Sequence, residues 1–246
     1  MQALADAVRL QRFNGALLPR AAVESLRTAG ERERRADWIA LAHLLAAAHE
    51  RVAGHIDAAL LLLERAERHL PDGPSAELAS VLLERCEVLF DLEEPEAASR
   101  LLARSCAMAH VLRDGSLLAW ALLLHGSQLP VDSAVPLLFS TLELAESLGS
   151  AELTWRAHRA IGLKGRAAGC AWLERDGYVG AHRVLDRMAD PLGPSDLARF
   201  WAAPARRAFL DEWRAAPIET RDAPSNRTVL AEIREESRGA LPAYVR

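Results

Sequence analysis

The chain has 246 residues, of which 50% are hydrophobic, 5% are aromatic and 26% are charged, and its formal net charge is −4. The apolar residues are mostly Ala and Leu, and no alternating run of β-branched residues predicts a strand, so the composition indicates an all-α protein. The weakly acidic balance argues against general nucleic-acid binding, which is typical of strongly basic domains.

The cysteines and the apolar runs indicate the compartment. Cys86, Cys106 and Cys170 lie far apart and show no CxxC spacing, so we expect reduced thiols rather than a disulfide framework. The N-terminal residues lack a basic stretch followed by an apolar one. The longest apolar run is well short of the roughly 18 residues that a membrane helix needs. We therefore expect a cytoplasmic protein without membrane contact.

The first elements in chain order are predicted helices that glycines separate. Helices are expected from Gln2 to Phe13 and from Pro19 to Arg27, and Gly30 is expected to close the second. A long amphipathic helix then follows from Glu31 to Val52. Its apolar stripe includes Trp38, which we expect to be a core residue.

The clearest helical hairpin comes next. Gly54 ends one helix, a second begins at Asp57, and Pro71 stops it. Small and apolar residues of the second helix recur on one face at relative positions 0, +4 and +7, namely Ala59, Leu63 and Ala66. Because one hairpin cannot bury its apolar face alone, we expect the rest of the chain to supply similar hairpins.

The same pattern recurs twice. Ser75 is expected to cap one helix and Pro95 to open the next. Residues at 0, +4 and +7 follow as Ala98, Leu102 and Ser105, and then as Ala134, Leu138 and Thr141. The three alanines at position 0 are 39 and 36 residues apart. A helix pair repeating at this period is typical of an α-solenoid, and Trp120, on the first helix of the third pair, is expected to lie in the core.

The C-terminal third is less regular. Helices are predicted from Ala151 to Arg166 and from Cys170 to Met188, the second weakened by Gly177 and Gly180 at about 1 kcal/mol each. Residues 1–189 are therefore predicted to form the repeats. A proline-rich break follows, and an aromatic capping helix is expected within residues 190–216, broken into the segments from Ser195 to Trp201 and from Pro204 to Trp213. The polar residues 217–246 are predicted to be a partly disordered tail.

The hairpin resembles a tetratricopeptide repeat. In that family a Gly, an Ala, an aliphatic or aromatic residue, a small residue and a Pro follow one another at fixed spacings. All five positions are matched by Gly54, Ala59, Leu63, Ala66 and Pro71. The resemblance implies a right-handed stack of helix pairs that serves as an interaction scaffold.

A second resemblance covers the C-terminal third. The segments Leu153 to His158 and Ala205 to Leu210, on either side of a helix pair and a proline-rich break, are similar to the final repeats of large bacterial signalling ATPases and transcriptional regulators. Those proteins carry an ATPase module before the repeats, but this chain has no Walker-type GxxxxGK[ST] motif. The resemblance implies that the chain corresponds to the repeat region alone.

The candidate binding site lies on the helix from Ala151 to Arg166. In an α-solenoid the first helix of each pair lines the concave surface. There, Arg159 and Arg166 are predicted to hold carboxylates of a partner, with Arg156 nearby and Trp155 as an aromatic platform. In the alternative interpretation, Trp155 belongs to the core and the arginines form a solvated face.

Other polar clusters carry weaker signals. His49, Glu50 and His55 lack the i, i+4 spacing of a metalloprotease helix, so we expect no metal there. The acidic stretch from Asp72 to Arg100 is interpreted as solvated carboxylates at helix starts and in a loop. Its residues Glu93, Glu94 and Glu96 offer an acidic patch to a basic partner. No cofactor motif and no nucleophile elbow is present.

These patterns and resemblances together predict an all-α, right-handed α-solenoid of about five antiparallel helix pairs with a C-terminal capping helix. The predicted function is non-catalytic: a scaffold that binds a protein or peptide, without direct nucleic-acid contact, in bacterial signalling or transcriptional regulation. The alternative is a small-molecule-sensing regulatory domain with its ligand in the superhelical groove. An all-α enzyme would need convergent carboxylates or a metal cluster, which the sequence does not show.

Overall fold

A computed structural model describes residues 18–216, which form eleven α-helices and no β-strand. The expectation of an all-α fold is thereby confirmed for this part of the chain. In chain order the helices are α1 Arg20–Glu33, α2 Ala36–Val52, α3 Ile56–Arg68, α4 Ala76–Asp91, α5 Pro95–Leu112, α6 Gly115–Gln128, α7 Val131–Ser147, α8 Ala151–Ala167, α9 Ala171–Ala189, α10 Pro194–Ala202 and α11 Pro204–Ala215.

The chain divides into two compact units, and the boundary falls between Ala121 and Leu122, inside α6. In the N-terminal unit α1 packs on α2, α2 packs on both α3 and α4, α3 packs on α4, and α4 packs on α5. Its core contains fully buried side chains such as Trp38, Leu44 and Leu63. Every one of these contacts joins helices that are neighbours, or next neighbours, along the chain.

The C-terminal unit is built around α8. This helix packs on α7 and on α9, and α10 packs on α11. Trp155 of α8, Tyr178 of α9 and Phe209 of α11 are fully buried in one apolar cluster. Two helices, α10 and α11, follow the proline-rich break at the two segments that were predicted for a broken capping helix. They are separated at Ala203, whose φ of −59° and ψ of 129° are not helical.

The repeated small-residue pattern corresponds to the buried faces of three helices. All nine residues at positions 0, +4 and +7 of α3, α5 and α7 are buried. The expected core positions of Trp38 and Trp120 are also confirmed. Small side chains at these positions let neighbouring helices approach closely, which fixes how each hairpin packs.

Two predicted helix starts are confirmed. The Ser75 hydroxyl oxygen accepts a hydrogen bond from the Leu78 backbone N–H at 3.1 Å, which caps α4. Pro95 is the first residue of α5, where its missing N–H leaves no helical hydrogen bond unmade.

The predicted boundary at Gly30 is wrong. The helix does not close at Gly30 but continues to Glu33, so Glu31 lies in the last turn of one helix rather than at the start of the next. The chain turns at Arg34, whose φ of 54° is left-handed, and α2 begins at Ala36. Gly30 is there for packing, because an added Cβ would lie 2.9 Å from a side-chain carbon of Ile39.

Glycines also explain how α8 and α9 pack. A Cβ on Gly177 would lie 2.3 Å from the backbone nitrogen of Gly162 and 2.7 Å from the carbonyl oxygen of His158. A Cβ on Gly180 would lie 2.4 Å from the His158 ring. At Gly177 the low helix propensity of glycine therefore accompanies a close approach of two backbones, and at Gly180 it leaves room for the His158 side chain.

Within residues 18–216, no helix is both long enough and apolar enough to cross a membrane. The predicted helix from Gln2 to Phe13 and the predicted tail 217–246 lie outside the described residues.

Candidate functional site

The predicted binding residues lie on α8, and most of that helix is buried. Ser150 caps its start by accepting a hydrogen bond from the Leu153 backbone N–H at 3.4 Å. The buried positions occur on nearly every side of the helix. One row of charged residues, spaced by four, three and seven positions, runs along the helix and begins at the buried Glu152. Its members are Glu152, Arg156, Arg159 and Arg166, here called the α8 stripe.

Trp155 does not belong to the α8 stripe. Its side chain has no exposed surface, and its ring centroid lies 6.1 Å from that of Phe209 in a tilted arrangement. The expectation of an exposed aromatic platform is therefore corrected, because a fully buried indole has no face left for a docked peptide. The alternative interpretation of Trp155 as a core residue is the one that the structure supports.

Arg159 already holds a carboxylate. Its Nε donates a hydrogen bond to Oε2 of Glu212 at 2.9 Å, and its Nη2 donates to Oε1 of the same carboxylate. The two side chains are 24% and 22% exposed, so water reaches the pair only in part. This two-bonded pairing is the geometry in which a guanidinium recognises a carboxylate most specifically.

Arg166 contacts the same residue of α11. Its Nε donates to Oε1 of Glu174 at 2.8 Å, and its Nη2 donates to the main-chain oxygen of Glu212 at 3.4 Å. Its guanidinium also lies 4.9 Å from the ring centroid of Tyr178. Burial lowers the pKa of Arg166, but the hydrogen bond to Glu174 and the nearby acidic groups outweigh it, so the pKa is raised.

The N-terminal end of the α8 stripe forms a buried ionic chain. Nε of Arg156 donates to Oε1 of Glu152 at 2.7 Å, and Nη2 of Arg206 donates to Oε2 at 3.0 Å. The Glu152 and Arg206 side chains are only 1% and 4% exposed. Arg206 also donates to the Phe200 carbonyl oxygen, and its guanidinium lies 4.0 Å from the Phe200 ring centroid.

The arginines predicted from the sequence are thus brought together on one helix, and α11 lies against them. Arg159 and Arg166 meet at Glu212, while Arg156 and Arg206 share Glu152. Binding of a partner by these arginines stays a prediction. Sequence reasoning missed the acidic members, because Glu212 and Glu152 are separated from their arginine partners on the other helix by more than fifty residues.

The N-terminal unit contains a second ionic cluster, which corrects the interpretation of the acidic stretch. Arg51 of α2 donates to Glu84 at 3.0 Å and to Asp91 at 3.5 Å, and it also pairs with Glu87. Glu84 is buried in the middle of α4, so it is not a solvated carboxylate at a helix start. Burial lowers the pKa of Arg51, but the three carboxylates outweigh this and raise it. The three residues of the predicted acidic patch, Glu93, Glu94 and Glu96, are exposed.

The two histidines near Gly54 contact different groups of this chain. Nε2 of His49 lies 2.6 Å from the Leu18 carbonyl oxygen, and Nδ1 of His55 lies 2.7 Å from Oε2 of Glu50. Among residues 18–216, no group of three His, Cys, Asp or Glu side chains is arranged to hold a metal ion.

The buried thiols are poorly suited to nucleophilic chemistry. Burial raises the pKa of Cys86 to about 12 and that of Cys106 to about 11. Because the thiolate is the nucleophile and the metal ligand, both groups stay protonated and unreactive near neutral pH.

No protein-family model, curated protein or solved structure matches this chain. The likeness to tetratricopeptide repeats and to the repeat regions of bacterial signalling ATPases therefore stays a prediction from the sequence.

Proposed function

We propose that this chain is a non-catalytic helical-repeat scaffold that binds a protein or peptide, in bacterial signalling or transcriptional regulation. The observation that carries the proposal is that α2 packs on α4 as well as on the intervening α3. In stacks of helix hairpins, this contact between successive first helices generates a continuous surface on which an extended partner docks. The buried 0, +4 and +7 positions of α3, α5 and α7 support a common packing scheme for the hairpins.

The α8 stripe supplies the chemistry for recognition. Guanidinium groups suit partner surfaces because they bind carboxylates through two parallel hydrogen bonds and cannot lose their charge near neutral pH. Arg159 makes such a pairing with Glu212, which shows that its side chain reaches a carboxylate presented by a helix. The proposed partner is accordingly acidic where it meets α8.

Affinity capture at moderate salt tests this function. The tagged full chain is expected to retain one protein at a fixed, near-stoichiometric ratio. A chain with Arg159→Glu is expected to lose it. The matched control is Arg183→Glu, a charge reversal at an exposed position of α9 in the same unit, which is expected to retain it. Circular dichroism and thermal melting verify that each variant is folded.

Two results would count against the scaffold. One is a folded wild-type chain that retains no protein in stoichiometric amount. The other is equal retention by the wild type and by folded Arg159→Glu, which would remove α8 from the binding surface.

A further inference from the structure

We propose that the α8 stripe is a docking surface for an amphipathic helix that carries an aromatic and an acidic side chain on one face, and that α11 occupies this surface as an internal ligand. The inference deepens the proposed function, on which its partner rests, by stating the chemistry of the partner. It comes from the side chains that α11 places against α8 and α9.

The contacts of α11 follow one helical face. Arg206, Phe209 and Glu212 are spaced by three residues, and Trp213 lies one position further. Arg206 pairs with Glu152 and Glu212 pairs with Arg159. The cationic and anionic groups of α11 therefore each meet the opposite charge on α8.

The aromatic part of this face fills an apolar slot between α8 and α9. The Phe209 ring has no exposed surface, and its centroid lies 6.1 Å from that of Trp155 and 6.2 Å from that of Tyr178. The Trp213 ring centroid lies 4.8 Å from that of His182. An occupant that replaces α11 must bring an aromatic ring, because an empty slot would leave Trp155 and Tyr178 facing a void.

Most residues of α10 and α11 keep some solvent exposure, including the side chains that pack against the buried cluster, Phe200, Trp201, Ala205 and Trp213. Only Arg206 and Phe209 of α11 are buried within the helix, and α10 has no buried residue. The Arg206–Glu152 pair gives specificity more than net stability, because removing two charges from water offsets much of their attraction. A partner that supplies the same contacts can therefore replace α11 without disturbing the packing of α8 on α9.

The arrangement defines the partner by position. The partner is a helix with an aromatic residue at i, a carboxylate at i+3 that pairs with Arg159, and a second aromatic residue at i+4. A cationic residue at i−3 complements Glu152. This is the order of Arg206, Phe209, Glu212 and Trp213 in α11 itself.

A labelled peptide of the sequence Ala203–Ala216 is the probe, and fluorescence anisotropy measures its binding to the full chain. A full-chain variant with Phe209→Ala and Glu212→Gln, whose α11 contacts are weakened, is expected to bind the peptide at least about tenfold more tightly than wild type. The reason is that the tethered wild-type α11 competes at a high effective concentration. Equal or undetectable binding to both chains would overturn the docking surface.

Charge reversal identifies the contact. A peptide in which Glu212 is changed to Arg is expected to bind the variant chain about tenfold more weakly. Adding Arg159→Glu to that chain is expected to restore its binding. If the unreversed peptide binds the chain with Arg159→Glu as well as it binds the chain without it, the site is not the α8 stripe.

A replacement variant and a comparison of the two binding assays distinguish the remaining outcomes. Should the double variant be unfolded by circular dichroism, the single Glu212→Gln variant replaces it; hydrogen exchange is then expected to rise in α11 and not in α9. Peptide binding without any captured protein would support the docking surface and count against the scaffold function. Capture that depends on Arg159 in a chain that binds no peptide would do the opposite.

Discussion

Ala59 occupies a buried position on α3 where a larger side chain has no room. Ala59→Arg places a charged side chain in the core of the N-terminal unit. A buried charge without a partner costs about 3–5 kcal/mol, a large part of the roughly 5–15 kcal/mol by which domains are stable. We therefore expect loss of helicity and of cooperative melting, measured by circular dichroism.

Ala107→Arg is the matched control for this substitution, because Ala107 is exposed in the middle of α5. Its free energy of unfolding is expected to stay within about 0.5 kcal/mol of wild type. An Ala59→Arg chain with wild-type helicity and melting temperature would mean that the proposed packing position is wrong.

Gly177 tests the close approach of α8 and α9. Helix propensity alone predicts that Gly177→Ala stabilises α9 by about 1 kcal/mol. The added Cβ would instead lie 2.3 Å from the Gly162 nitrogen, a backbone atom that cannot move aside alone. We expect net destabilisation of about 1–3 kcal/mol in urea unfolding, whereas Gly73→Ala, whose Cβ meets no atom within 4 Å, stays near wild type. A more stable Gly177→Ala chain would contradict the packing described here.

His43 gives the N-terminal unit a pH dependence. Burial, followed by the charges of His69, Arg65 and Arg27, lowers the pKa of His43, and the charge of Glu31 opposes this shift. The ring centroids of His43 and His69 lie 5.7 Å apart. Because the ordinary pKa is about 6.5, the unfolded chain binds the proton first as the pH falls. The free energy of unfolding is therefore unaffected by His43 above about pH 6.5. It decreases as the pH falls below that value, because the unfolded chain gains the proton more readily than the folded chain.

Melting temperatures between pH 8 and pH 5 measure this effect. Wild type is expected to lose stability below about pH 6.5, and His43→Gln is expected to lose less over the same interval. His110→Gln, at an exposed position of α5, serves as the control and should follow wild type. Parallel profiles for wild type and His43→Gln would show that His43 does not contribute.

At the scale of helices, the Glu152–Arg206 pair fastens α11 to α8. Glu152→Gln removes the carboxylate from a nearly fully buried guanidinium, which is expected to cost about 3–5 kcal/mol in urea unfolding. Combining Glu152→Leu with Arg206→Met replaces this buried pair by apolar groups and is expected to recover part of that loss, since Arg156 still loses its contact with Glu152. A double variant no more stable than Glu152→Gln would show that the loss does not come from leaving the Arg206 charge without its partner.

Helix ends show where sequence reasoning failed at this scale. Gly30 has the residue type of a helix stop, yet it lies inside α1, where its missing side chain lets Ile39 approach. The helix ends at Glu33, and the next residue, Arg34, adopts a left-handed conformation that arginine rarely favours. The residue type of Arg34 does not mark this turn, which is closed by local hydrogen bonds from the backbone N–H groups of Arg34 and Arg35 to Glu31 and Gly30.

The ionic contacts between helices could not be predicted from the sequence either. The α8 arginines were found from their spacing on one helix, which is local information. Their partner Glu212 is 53 residues away from Arg159, and Arg51 is 33 and 36 residues from Glu84 and Glu87. Such pairs depend on how helices are packed, so the sequence predicted the recognising groups and not what they recognise.

For the molecule as a whole, the helix content and the repeat period were the predictable features. The alanines of the 0, +4, +7 pattern are buried in α3, α5 and α7, because a small residue is needed where helices cross. The handedness of the stack and its number of helix pairs stay predictions. They depend on small rotations between hairpins that no local pattern encodes.

The central claim is that the chain binds a protein partner through the arginines of α8. Its most direct test is isothermal titration of the captured partner into wild type and into a chain with Arg159→Glu and Glu212→Arg. This exchange keeps the internal ion pair but reverses the charge that α8 presents. We predict at least about a tenfold loss of affinity, the effect of one charge-assisted hydrogen-bonded pair. Unchanged affinity would contradict the claim.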